Sequence, residues 1–162
     1  MSNIKFVKGN AVDALLNGEI DFLLNQVNCQ GVYASGIAKE IGGRIPDAKE
    51  EYHSYINHPY VNRNQILGDV VVTESGVVHI FSQEFYGRGG KRYTNYGALA
   101  KGLSNLLFRV YYNTTTKCDT VIGIPDMIGC GLGGGDREIV LELIEHLLSW
   151  AKEVRIYQLE GE

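Results

Sequence analysis

The sequence predicts an α/β domain in three layers, α/β/α, with a mixed, mostly parallel central sheet and helices on both faces. Three observations lead there. Short apolar runs alternate along the chain with longer stretches of helical periodicity. Two of these runs are separated only by Ser75-Gly76 and read as a hairpin, which adds one antiparallel strand. Glycine, with 20 copies, clusters where apolar runs end. A length of 162 residues suits one domain spanning 1–162.

Ile4 to Val7 alternates and stops at Gly9, as a strand does. Residues 21–27 form an apolar run that turns polar at its C-terminal end and read as a buried strand. A short helix is expected over 34–41, after a glycine turn. Another is expected over 46–55, with Pro46 in the first turn, where a missing N–H costs nothing. Residues 69–73 and 77–81 make the hairpin. Residues 95–111 place Leu99, Leu103, Leu106 and Val110 on one helical face, with Thr94 as the expected N-cap. Residues 121–124 are a short buried strand ended by Pro125. In 136–150, Glu138, Glu142, Glu145 and Ser149 form a wet stripe opposite Val140, Leu143, Ile144 and Leu147. Asp136 is the expected cap of that helix. Residues 153–159 alternate again and form the last strand.

Composition narrows the function. The formal net charge is −4, which argues against a surface that grips nucleic acid through its phosphates. Three cysteines, Cys29, Cys118 and Cys130, without a CxxC pair, fit a reduced cytoplasmic protein rather than a disulfide framework or a zinc site. The opening residues MSNIKFVKGNAV do not read as a signal peptide, and no run reaches the length of a membrane span. The four histidines (His53, His58, His79, His146) and the cysteines form no ligand-spaced cluster, so neither a metal nor a cofactor is expected.

Chemistry concentrates in three segments. The first, NQVNCQGVYASGIA over 25–38, runs from a buried strand through a glycine turn into a helix. Free amides at a helix start receive phosphate, and Gly31 and Gly36 let a ligand approach the backbone. Asn28 and Gln30 can fix sugar hydroxyls, because an amide both donates and accepts. The second, IPDMIGCGLGGGD over 124–136, repeats the design, and two such loops facing each other would clamp a diphosphate. No GxxxxGK[ST] is present, which argues against a nucleoside-triphosphate P-loop. The third, YGRGGKRY over 86–93, is basic, with Arg88, Lys91 and Arg92 available to a phosphate. His79, flanked by apolar residues, reads as a packed core histidine. Cys29 and Cys130 lack the HCx5R pattern of a cysteine phosphatase and read as small packing residues.

Together these segments resemble the macro domain family. VNCQGVYASGIAKEI is similar to its first ligand loop, GIPDMIGCGLGGGD to its second, and TNYGALAKGL to the start of its central helix. The opening MSNIKFVKGN, the NCQG loop and the ending IYQL are most similar to the ADP-ribose 1″-phosphate phosphatases. The resemblance implies the macro domain fold and ADP-ribose, or ADP-ribose 1″-phosphate, as ligand. It assigns Gly9, Asn10 and Ala11 to adenine and Asn28 to the distal ribose, and it offers Tyr157 as a stacking partner of the base, against the alternative reading of an ordinary core tyrosine. Gln30, Gly31, Ser35, Gly36, Ile37 and Ala38 would hold the ligand from the first loop, and Gly129, Cys130, Gly131, Leu132 and Gly133 from the second.

The sequence departs from the family at several reactive positions. Ala38 stands where one hydrolase branch has an acidic residue. Gln83 or Glu84, and Gly133, stand where another has its lysine and aspartate. Asn25 stands where the phosphatase branch has a histidine. Asp136 remains as the nearest carboxylate for acid–base work, with Asn28 beside the reacting sugar and Asp126 second. The expected activity is hydrolysis of ADP-ribose 1″-phosphate to ADP-ribose and phosphate. The alternatives are a non-catalytic ADP-ribose-binding module and a glycohydrolase that removes ADP-ribose from modified macromolecules. No nucleic-acid partner and no membrane are expected.

Overall fold

A computed structural model describes residues 2–34, 36–113, 119–126, 128–131 and 133–159. Among these residues, six strands form one sheet: β1 (Ile4–Lys8), β2 (Phe22–Asn28), β3 (Val70–Val72), β4 (Val77–Gln83), β5 (Val121–Pro125) and β6 (Glu153–Gln158). Their order is β1-β6-β5-β2-β4-β3, and every neighbouring pair is parallel except β3 with β4. The expected hairpin is therefore real, and Gly76 turns it with φ +94°.

Among the described residues, five helices cover the sheet: α1 (Ala11–Leu16), α2 (Gly36–Arg44), α3 (Pro46–Ile56), α4 (Tyr96–Asn113) and α5 (Arg137–Leu147). Two separate cores define the layers. One packs α1, α2 and α3 through Val12, Ile41, Ala48, Tyr52 and Ile56 onto Leu23, Val27, Val77 and Phe81. The other packs α4 and α5 through Leu99, Leu103, Leu106, Val140 and Ile144 onto Leu24, Val78, Ile80, Ile122 and Ile156. Alternation along β2 and β4 supplies both faces, because successive side chains of a strand point opposite ways. None of the described helices is long and apolar enough to cross a membrane.

The structure corrects the sequence reading at two helices. No helix is expected between the first two strands, yet α1 forms there: Asn10 accepts from the Asp13 amide at 2.9 Å, and Ala11, Val12 and Ala14 are buried. Six residues are too few for the 3.6-residue period to declare itself. For α4 the cap is Asn95, not Thr94: the Asn95 side chain accepts from the Ala98 amide at 2.9 Å. Thr94 points elsewhere, as described below. Asp136 does cap α5, accepting from the amides of Glu138 and Ile139.

The strand order places the site. From β2 the chain crosses towards β4, whereas from β5 it crosses towards β6. Connections therefore leave the C-terminal ends of these neighbouring strands in opposite directions, which opens a crevice between them. The seam itself is short. β2 and β5 pair in register only at Phe22–Ile122 and Leu23–Gly123. An additional bond from the Asp21 amide to the Val121 carbonyl lies at the end away from the crevice.

Candidate functional site

A cavity of about 470 Å3 occupies that crevice, within the range of small-molecule sites. Its floor is the end of β2 (Asn25 to Asn28). One wall is Val32 to Ala34 with Gly36, Ile37 and Ala38 of α2. The opposite wall is Pro125, Asp126, Ile128, Gly129, Gly131 and Gly133. Gln83, Tyr86, Gly87 and Arg88 close it from the end of β4.

The first loop is braced by side chains. The Asn28 carbonyl oxygen Oδ1 accepts from the amides of Gln30 (3.0 Å) and Val32 (3.3 Å) and from the Tyr52 hydroxyl (3.1 Å), and Nδ2 donates to the Val32 carbonyl at 2.7 Å. The Tyr52 hydroxyl also lies 2.8 Å from the Asn28 carbonyl and accepts from the Gly31 amide at 3.2 Å. Arg63 reaches over from outside to donate to the Gln30 carbonyl at 2.9 Å. Gly31 takes φ +86° to make this turn. The chain then enters α2, whose first amides have no partner within the helix.

The second loop is held through its backbone carbonyls. The Gly129 carbonyl accepts from the Gly135 amide (2.7 Å) and from the Thr94 hydroxyl (2.6 Å). The Gly133 carbonyl accepts from the amides of Tyr93 (2.7 Å) and Thr94 (2.9 Å). Among the described residues, the amides of Gly129, Cys130, Gly131 and Gly133 meet no protein acceptor. The loop thus turns its oxygens into the protein and leaves a row of N–H groups, a constellation suited to an anion.

The third segment is pinned at its two ends. Gln83 bridges to Thr94 across it, and Tyr93 and Thr94 are bonded to the second loop. Only Arg88 of its three cations lines the cavity. Lys91 lies over the Tyr93 ring and Arg92 over the Tyr96 ring, both beside a neighbouring open cleft.

Several residues expected at the ligand have other positions. Asn10 lies outside the cavity. Its oxygen caps α1 and one proton of its amide goes to Glu40 at 2.8 Å. Gly9 and Ala11 flank it and likewise do not line the cavity. Tyr157 is buried in the first core cluster, with its ring beside Gly123. Gln30 and Gly31 face Arg63, and Cys130 lies behind the loop. Asp136 has its carboxylate on the α5 cap and is absent from the lining. Ser35 and Leu132 lie outside the described residues. Asn28, Gly36, Ile37, Ala38, Gly129, Gly131, Gly133 and Arg88 do line it. Sequence reasoning left out Gln26, Tyr33 and Tyr86; the polar turn at the end of β2 was the available signal for Gln26. The one carboxylate in the described lining is Asp126, paired with Arg137 at 3.0 Å.

Beneath the first loop sits a buried polar and aromatic cluster. His79 Nε2 lies 2.9 Å from the Ala48 carbonyl, which can only accept, so Nε2 carries the proton. Nδ1 is then the acceptor facing Asn25 Nδ2 at 3.4 Å, and the same amide nitrogen donates to the Tyr33 hydroxyl at 3.1 Å. Burial lowers the His79 pKa to about 4, with the Ala48 bond opposing it only in part. The imidazole is neutral and structural, as its sequence context suggests. Burial, then the charges of Glu84 and Asp69, push the Cys29 thiol up to about 11. Burial, then Asp136, also raises Cys130. Neither offers a thiolate nucleophile.

The same architecture occurs in solved structures. The macrodomain of Thermus aquaticus DarG superposes with a TM-score of 0.71 at 20% identity, covering 98% of this chain and 98% of that one. The fold is that of the macrodomains. A Thermosipho africanus DarTG structure in complex with ADP-ribose matches over 99% of this chain and 42% of its own, with a TM-score of 0.73 at 18% identity. A Bacteroides thetaiotaomicron protein of unknown function matches with a TM-score of 0.73 at 19% identity, covering 96% and 98% of the two chains. No family model and no curated protein matches the sequence. The cavity lies between the two glycine-rich loops over 25–38 and 124–136.

Proposed function

We propose that the cavity binds ADP-ribose, with the diphosphate gripped between the two glycine loops. The observation that supports this most is the pair of amide sets on opposite walls: the start of α2 on one side, and Gly129, Gly131 and Gly133 on the other. A diphosphate presents oxygens in both directions, and backbone N–H groups can meet them without bulky cations. Asn28 has a second amide proton available for a sugar hydroxyl. The structural likeness to a protein solved with ADP-ribose supports the same reading. Titration calorimetry with ADP-ribose tests it. One-to-one binding tighter than about 100 μM is expected. Absence of heat at millimolar ligand would remove the proposal.

A second reading, hydrolysis of ADP-ribose 1″-phosphate, draws on Arg88 and Asp126, a cation and a carboxylate on the same cavity. Asp126 replaces Asp136 as the acid–base group in this reading. Phosphate release by the parent, lost in Asp126→Asn while ADP-ribose still binds, would establish it. Binding without release identifies a binding module.

A further inference from the structure

A chain of side-chain hydrogen bonds runs beneath the second loop and belongs to neither wall. β4 carries one extra residue against β2 at this point: Val27 pairs with Phe81 and Asn28 with Gln83, so Ser82 is unmatched. The Ser82 hydroxyl donates to Gln26 Oε1 at 2.7 Å. Gln26 Nε2 donates to Gln83 Oε1 and to Thr94 Oγ1, both at 2.9 Å. Thr94 Oγ1 passes its own proton to the Gly129 carbonyl at 2.6 Å. Both protons and the oxygen of the Gln26 amide are therefore engaged, and Thr94 is almost fully buried. The chain has one direction. Because the Gln26 amino group faces Thr94, the threonine hydroxyl must donate onward, and only a carbonyl turned inward can receive it.

We propose that Gln26 and Thr94 are the positioning residues of the anion-binding loop. They turn the Gly129 carbonyl into the protein, and the Tyr93 and Thr94 amides do the same for Gly133. The N–H groups of Gly129, Gly131 and Gly133, residues that line the cavity, meet no protein acceptor and are left for a ligand before it arrives. The fit is tight enough to require glycine. A Cβ at Gly133 would lie 2.6 Å from Thr94 Oγ1 and 2.9 Å from Gln26 Nε2, and a Cβ at Gly129 would lie 2.9 Å from Gln26 Oε1. Neither Gln26 nor Thr94 needs to touch the phosphate for this. The affinity part of the inference rests on the ADP-ribose reading of the cavity; the ordering of the loop does not.

The test uses Thr94→Val, which keeps the shape and removes the hydroxyl, and Thr94→Ser, which restores it. Hydrogen exchange on the ligand-free protein is read first. In Thr94→Val the amides of Gly135 and Tyr93, which donate to the two loop carbonyls, should exchange about tenfold faster, with the strand amides unchanged. ADP-ribose should bind about tenfold more weakly. Thr94→Ser should return both values to within about twofold of the parent. Gln26→Met removes the same relay from the other end and should repeat the Thr94→Val pattern if that variant does not fold. Unchanged exchange, or faster exchange with unchanged affinity, or failure of serine to rescue, would overturn the proposal. A parent that binds no ADP-ribose removes the ligand reading, and the exchange data alone then decide the positioning claim.

Discussion

The two glycine loops are held by different means. The first is held by side chains that come to it: Asn28 folds back on its own turn, Tyr52 rises from α3, and Arg63 reaches in from outside. The second is held by its own backbone: its carbonyls accept from the Thr94 hydroxyl and from neighbouring amides, and Gly129 and Gly133 lie so close to Thr94 and Gln26 that a methyl group has no room. Braces made of side chains can be loosened one bond at a time. A brace made of close backbone contact fails as a unit.

The largest effect should therefore come from the second loop. Gly133→Ala drives a Cβ to 2.7 Å from the Gly129 carbonyl as well as onto Thr94, and backbone cannot swing aside. It should cost about 3 kcal/mol or more and weaken ADP-ribose binding about 100-fold, read by thermal melting and calorimetry. A melting point equal to the parent's would show that the loop is softer than its geometry implies.

Acid should strike the first loop instead. His79 packs edge-on against Tyr33 and Tyr52 beneath it. Its folded pKa of about 4 lies below the ordinary 6.5, so the unfolded chain binds the proton more readily. Its contribution is intact above pH 6.5 and is lost as pH falls towards 4, amounting to about 3 kcal/mol across that window. Denaturant melts between pH 7 and pH 4 should show that slope, and His79→Gln should flatten it. An unaltered slope in the variant would assign the acid sensitivity elsewhere.

A smaller loss is expected from Tyr52→Phe, which leaves the Gly31 amide and the Asn28 carbonyl without their shared hydroxyl. About 1–2 kcal/mol is expected from the melting curve, with a modest loss of affinity. A drop as large as that of Gly133→Ala would erase the contrast between the loops. The smallest effect should be Gly131→Ala. Nothing lies within 4 Å of a Cβ there, so stability should stay within about 0.5 kcal/mol of the parent.

Much of the frame was legible in the sequence because its signals are local. The turn at Ser75-Gly76, the amphipathic face of α5 and the Asp136 cap each depend on a few neighbouring residues. The two loops were legible for the same reason. Their partners were not. Whether Asn10 reads a ligand or caps a helix depends on Glu40, thirty residues away in sequence, and on a six-residue helix without a period of its own. Thr94 and Asn95 are equally good caps on paper; the extra residue at Ser82 and the approach of Gly129 decide between them. Arg88, Lys91 and Arg92 read as one basic run, but the bridge between Gln83 and Thr94 sends them to different sides.

The short pairing of β2 with β5 has a mechanical side. The two halves of the sheet, β4-β2 and β5-β6, are each laced by longer ladders than the one that joins them. Sub-global opening should begin along this suture, with the amides of Asp21 and Val121, which bond across it, reporting it in the ligand-free protein. A molecule gripped by both loops would span the suture and act as a removable rivet, so occupancy would be felt as stiffness across the middle of the sheet.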